Sequence, residues 1–232
     1  MENEIVARWK VSPYEFCSLE EFEELKGNEE YYFLLTIKGQ YKKESEPGLQ
    51  FLTLVKGGAK AEKGISSMLE IVSLPVASAE DPSGRELEFI PAFLDIIQTY
   101  TLESMERDIQ GYGGLSNYSL NLLETRDMTL VFSEDDLSSE ITEDIIEECF
   151  DGDMLITTEA GADKYMSSPE AQVVVSYVVA PTEGKIGSYC YKMLIDNQTH
   201  KVYYFKKHRI GKNIGVGFLA EDIKRIASYR EL

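Results

Sequence analysis

Between Ser188 and Ile210 two runs rich in β-branched and aromatic residues, Ser-Tyr-Cys-Tyr-Lys-Met-Leu-Ile-Asp and Lys-Val-Tyr-Tyr-Phe-Lys-Lys-His-Arg-Ile, flank the polar tetrad Asn-Gln-Thr-His. Such runs suit a pleated, half-buried surface, and the polar break between them specifies an antiparallel hairpin. Asp196 and Asn197 are the residues expected to close the turn, because their short side chains bond backbone amides nearby. The apolar run 172–180 adds a third strand beside the pair. A chain that commits this much of itself to a meander must cover it with helices, so the rest of the sequence is read for them.

Residues 5–11 alternate loosely before Ser12-Pro13 and predict a short strand or extended arm. Ser18 followed by Glu21 forms a capping box ahead of Leu19, Phe22 and Leu25, which predicts a helix ended by Gly27. Strands are expected at 31–38, 49–56 and 68–75, the first two separated by a turn at Pro47-Gly48. A helix is expected from Pro91 to about 108, with Phe93, Leu94, Ile97 and Tyr100 on one face. The glycine-rich cluster 110–117 then breaks the pattern.

Beyond it the order is β-α-β-(α)-β-β-β-α. Strands lie at 128–132 and 154–158, an acidic helix between them buries Ile141, Ile145, Ile146 and Cys149, and a terminal helix carries Leu219, Ile223 and Ile226. The fold class is therefore α+β, with two antiparallel sheet-and-helix units, 1–115 and 116–232. Tyr31-Tyr32-Phe33 and Tyr203-Tyr204-Phe205 hint at a weak internal structural repeat between them.

The formal charge of -18 disfavours a protein that coats nucleic acid with its whole surface. Its distribution says more. Residues 184–232 hold ten Lys or Arg against four Asp or Glu, a net of +6, which leaves -24 for the first 183 residues. Residues 133–170 hold thirteen acidic side chains opposed by Lys164 alone. Three scattered cysteines, Cys17, Cys149 and Cys190, suggest neither a disulfide framework nor a thiolate metal site. No apolar run approaches a membrane span, and Met1 is followed by acid where a signal peptide carries base, so a cytoplasmic protein is expected if Met1 is the native start. A mature secreted or periplasmic protein is the alternative.

Four chemistries are worth weighing. Lys206, Lys207, Arg209 and Lys212 lie at and just beyond the hairpin end, before a glycine loop and a helix, an arrangement that suits phosphate or nucleic acid. The loop has neither nucleotide-binding glycine order, and the alternative is a solvated strand end. Asp135, Asp136, Glu140, Glu143, Asp144 and Glu147 form an acidic face for a basic partner, or a mimic of DNA charge, against the plain reading of a wet helix face.

Cys190 with His200 or His208 has the residue types of a nucleophile and base but no local signature, so the thiol is read as a small apolar filler. Asp196 beside Lys206 lacks the second carboxylate of a nuclease metal site. The tyrosines, 14 in all, suit either recognition or cross-strand packing. No cofactor motif, metal set or catalytic constellation is present. The sequence therefore reads first as a non-enzymatic protein-binding or assembly protein with an acidic surface, and second as a nucleic-acid or phosphate binder acting through its C-terminal basic face.

Overall fold

The structure, a computed structural model, describes residues 1–41, 44, 46–106, 115–150, 152–168 and 171–231. Three antiparallel strands, β1 (Tyr32–Gly39), β2 (Leu49–Lys56) and β3 (Leu69–Ser78), form the first sheet in the order β1-β2-β3. The second sheet runs β5 (Met154–Thr157), β4 (Thr129–Ser133), β6 (Val173–Val179), β7 (Tyr189–Asp196), β8 (Val202–Arg209). The α+β class, the two sheets and the C-terminal helix all stand as the sequence implied.

One feature of the second sheet differs from the expected antiparallel unit: β4 pairs in parallel with both β5 and β6. The helices α4 (Glu143–Cys149) and α5 (Glu159–Ser167) are the crossovers that make parallel pairing possible. The β6-β7-β8 meander is antiparallel as expected.

In the hairpin turn, Asp196 Oδ1 accepts from the amides of Gln198 at 2.8 Å and Thr199 at 2.7 Å. Asn197 does more than turn the chain. Its Oδ1 accepts from Val173 N–H at 2.9 Å, and its Nδ2 lies at 2.8 Å from Ser168 O and 2.9 Å from Ala171 O, so it sews the end of α5 to the start of β6.

The capping box appears in α2 (Leu19–Leu25), where Ser18 and Glu21 bond each other's backbone. The N-terminal segment is corrected. It forms a helix, α1 (Glu2–Arg8), rather than a strand, with Glu2 and Glu4 in the first turn and Arg8 in the last, charges that complement the helix dipole. The long helix α3 (Glu86–Glu106) begins at Glu86 rather than Pro91, and proline sits inside it. Of the glycine-rich cluster 110–117, residues 110–114 lie outside the described residues. Its last three residues open a 3₁₀ segment (Leu115–Thr125) that packs along β8.

One buried cluster joins Leu52, Leu54 and Leu74 of the first sheet, Phe89, Phe93 and Ile97 of α3, and Val175, Tyr177, Met193 and Ile195 of the second. The halves on either side of 115/116 thus share a core. A second cluster lies on the opposite face of the five-stranded sheet. There Leu122, Phe132, Leu194 and Tyr204 meet Phe218, Ile223 and Ile226 at and within the terminal helix α6 (Ala220–Glu231). The two sheets differ in strand number and connection, and Tyr32 is exposed where Tyr204 is buried. Of the tyrosines, Tyr177, Tyr191, Tyr203 and Tyr204 pack in the core, whereas Tyr14, Tyr32 and Tyr165 face solvent.

Candidate functional site

The basic hairpin end lies against α6. Asp222, in the first turn of that helix and fully buried, accepts from Lys192 Nζ, from Tyr204 OH at 2.6 Å, from Lys206 Nζ at 2.8 Å and from Leu219 N–H at 2.9 Å. Burial alone would raise its carboxyl pKa. The two ammonium groups and the tyrosine hydroxyl outweigh that and hold it at about 2. Lys206 also donates to Glu221 at 2.7 Å, and these bonds raise its pKa against the opposing effect of burial. Burial lowers the pKa of Lys192, buried on the same sheet face, against the pull of Asp222.

An anion at this end would need free amides at the helix N-terminus. Instead Leu219 N–H is bonded by Asp222 and Ala220 N–H by Glu140 Oε1 at 2.9 Å. In the glycine loop, Gly211 N–H goes to Ile214 O at 2.9 Å and Gly217 N–H to Cys190 Sγ at 3.3 Å. Lys207 lies over the rings of Tyr189 and Tyr191, Arg209 donates to Gly187 O at 3.1 Å, and Lys212 is exposed. The four basic candidates therefore do not converge. The acids that neutralise Lys206, Asp222 and Glu221, come from α6 and not from the acidic segment 133–153.

The acidic candidates separate too. Asp136 leaves the proposed face altogether: it is 3% exposed and takes Arg85 Nη1 at 2.9 Å on each oxygen and Ser176 OH at 2.6 Å. Arg85 further donates from Nε to Asp163 at 2.7 Å and from Nη2 to Ser176 O at 2.9 Å, so every nitrogen of the guanidinium is used. Burial opposes its charge, but the two carboxylates prevail and raise its pKa above the ordinary value. Glu140 serves as a cap for α6. Asp135, Glu143, Asp144 and Glu147 stay exposed, and none of them forms an ion pair among the described residues.

Sequence reasoning missed Arg85, whose signal was a lone base after the Asp81-Pro82-Ser83-Gly84 turn. It borders a cleft of about 240 Å³ lined also by Asp81, Asp135, Glu159, Tyr177 and the backbone at 178–182. Asp135, Glu159 and residues 177–182 lie at the carboxyl ends of the parallel strands β4, β5 and β6, the usual side for ligands in such sheets. Burial raises the Glu159 carboxyl pKa. A second groove runs past Glu88, Ser167, Gln198 and His200. There His200 Nδ1 meets Asp95 Oδ2 at 2.6 Å, and Arg8 Nη1 reaches the same oxygen at 2.9 Å.

Cys190 is fully buried, and burial pushes its thiol up to about 11, which suits a packed side chain rather than a nucleophile. Among the described residues, no group of three or more His, Cys, Asp or Glu side chains is placed to hold a metal ion, and no helix is long and apolar enough to cross a membrane. No family model, curated protein or solved structure matches the chain.

Proposed function

We propose that this chain is a non-enzymatic binding protein that presents an acidic surface to a basic protein partner. The observation that carries the reading is that the exposed carboxylates stand together on one helix, whereas the basic candidates do not converge. Of the basic candidates, Lys206 is neutralised by Asp222 and Glu221, Lys207 lies over the rings of Tyr189 and Tyr191, Arg209 is tied to Gly187 O and Lys212 is exposed, so they do not form one face. The carboxylates of Glu143, Asp144, Glu147 and Glu148 on α4 remain in solvent without ion pairs among the described residues. An uncompensated single-sign patch draws an oppositely charged partner and accelerates its docking.

The test compares wild type with the Glu143→Gln, Asp144→Asn, Glu147→Gln variant. Partners captured by the wild type are titrated against both proteins between about 10 mM and about 1 M salt, across which the Debye length shrinks from about 30 Å to about 3 Å. The reading requires binding that weakens with salt and with neutralisation; indifference to both would end it. Stronger retention of wild type on a polyanion column than of a variant lacking the charges of Lys207, Arg209 and Lys212 would favour phosphate or nucleic-acid recognition instead.

A further inference from the structure

The two ends of the five-stranded sheet are treated differently. Along the outer side of β8, Ser119 Oγ accepts from Phe205 N–H and donates to Phe205 O, both at 3.1 Å, so the 3₁₀ segment Leu115–Thr125 occupies that edge. At the other end β5 has β4 on one side and, among the described residues, no strand on the other. Leu130 N–H donates to Asp153 O at 2.9 Å, and the parallel ladder thereby turns the backbone groups of Asp153, Leu155 and Thr157 toward β4. Those of Met154 and Ile156 point away, without partners among the described residues. The strand is only partly covered: Met154 packs against the second cluster, while Leu155 is 36% and Ile156 is 38% exposed, on opposite faces.

Bare edges pair with other strands, and what such an edge admits is set by the charge around it. Here the chain segment before β5 is α4 with its exposed carboxylates, and Glu159 follows the strand; Asp153 at its start is paired with Arg230 at 3.4 Å, with a side chain 59% exposed. A second copy of this chain, at a net charge of -18, is repelled.

We propose that β5 is a strand-addition site for an extended basic segment of a protein partner, which becomes a sixth strand of the sheet. Backbone bonds to Met154 and Ile156 fix its register. Its alternate apolar residues cover Leu155 or Ile156, and its lysines or arginines meet the α4 carboxylates. The inference rests on the acidic-surface reading and adds the mode of docking to it.

The probe is a capped octapeptide of alternating lysine and valine, compared with the same peptide N-methylated at every residue. The two carry the same charge, but the methylated one has no N–H to offer along either edge. Calorimetry at low salt should show the parent binding about tenfold more tightly, as expected for one or two lost backbone bonds. Hydrogen exchange at the Met154 and Ile156 amides should slow when the parent peptide is bound.

Ile156→Pro removes an outward N–H while sparing the ladder to β4, and it should reduce parent binding to the level of the methylated peptide. Equal affinity for the two peptides, lost together on neutralising Glu143, Asp144 and Glu147, would overturn strand addition and leave the acidic-surface reading standing. Failure of the wild type to bind either peptide would overturn both. Since the peptide comparison uses wild-type protein, a misfolded proline variant would not blunt it.

Discussion

Arg85 Nη1 donates to both carboxylate oxygens of Asp136, each at 2.9 Å, and this buried pair ties the residue ahead of α3 to the segment that follows β4. Arg85 also stacks its guanidinium over Phe89 and Tyr177, at 5.3 and 5.2 Å from their ring centres. The contact thus closes the shared core at one end, and its removal is expected to act on the whole fold.

Asp136→Ala strands a buried guanidinium with Asp163 as its one remaining carboxylate, and is expected to cost about 3–5 kcal/mol. Arg85→Met combined with Asp136→Leu should cost much less than the two single changes added together, because the double variant leaves no unpaired charge. Urea unfolding of the four proteins gives the coupling energy. Additive losses would show that the pair is not the unit that matters.

Asp222 makes stability depend on acid pH in a defined window. Its carboxyl is lowered from the ordinary 3.8 to about 2. The stabilisation it provides is therefore complete above about pH 4 and is lost as the pH falls toward 2. Asp222→Asn should destabilise by about 3–5 kcal/mol at neutral pH by orphaning Lys192, and the gap to wild type should narrow steadily between pH 4 and 2. Unfolding curves at pH 7, 4, 3 and 2 would reveal a constant gap if the carboxylate charge were irrelevant.

Elements whose pattern is local were legible in the sequence: the Ser18 capping box, the hairpin closed by Asp196, and the terminal helix spacing of Ile223 and Ile226 all specify themselves within a few residues. The N-terminal helix was not, because residues 5–11 carry a weak period, and what holds α1 is distant, namely Arg8 to Asp95 and Lys10 N–H to Gln98 at 2.7 Å. The parallel pairing of β4 is likewise a choice among strand orders that no local signal makes. Charge counting located the acidic and basic blocks but not their partners. Asp136 pairs 51 residues back along the chain with Arg85, and Lys206 pairs 16 residues forward with Asp222.

His200 occupies the left-handed region, with φ of 57°, at the end of the β7–β8 turn, where glycine or asparagine is the easier choice. Its imidazole bond to Asp95 explains why a histidine stands there. His200→Ala and His200→Gly both lose that bond, but only alanine keeps the backbone strain, so the glycine variant should be the more stable by about 1 kcal/mol. Thermal unfolding of the two compares them directly; equal stabilities would mean that the turn relaxes out of the left-handed conformation.

Gly217 links the loop before α6 to the Arg85 network. With φ of 97°, a Cβ there would lie 2.7 Å from Asp136 O, the carbonyl that accepts Phe218 N–H at 2.7 Å. Backbone cannot yield as a flexible side chain does, so Gly217→Ala must push away the segment that presents the Asp136 carboxylate to Arg85. The loss should exceed about 1 kcal/mol. Gly215, two residues earlier, has nothing within 4 Å of the corresponding position, so Gly215→Ala should stay within about 0.5 kcal/mol of wild type. Made in the Asp136→Ala background, Gly217→Ala should cost less than in wild type, because the pair it disturbs is already broken; an unchanged cost would confine the strain to the loop.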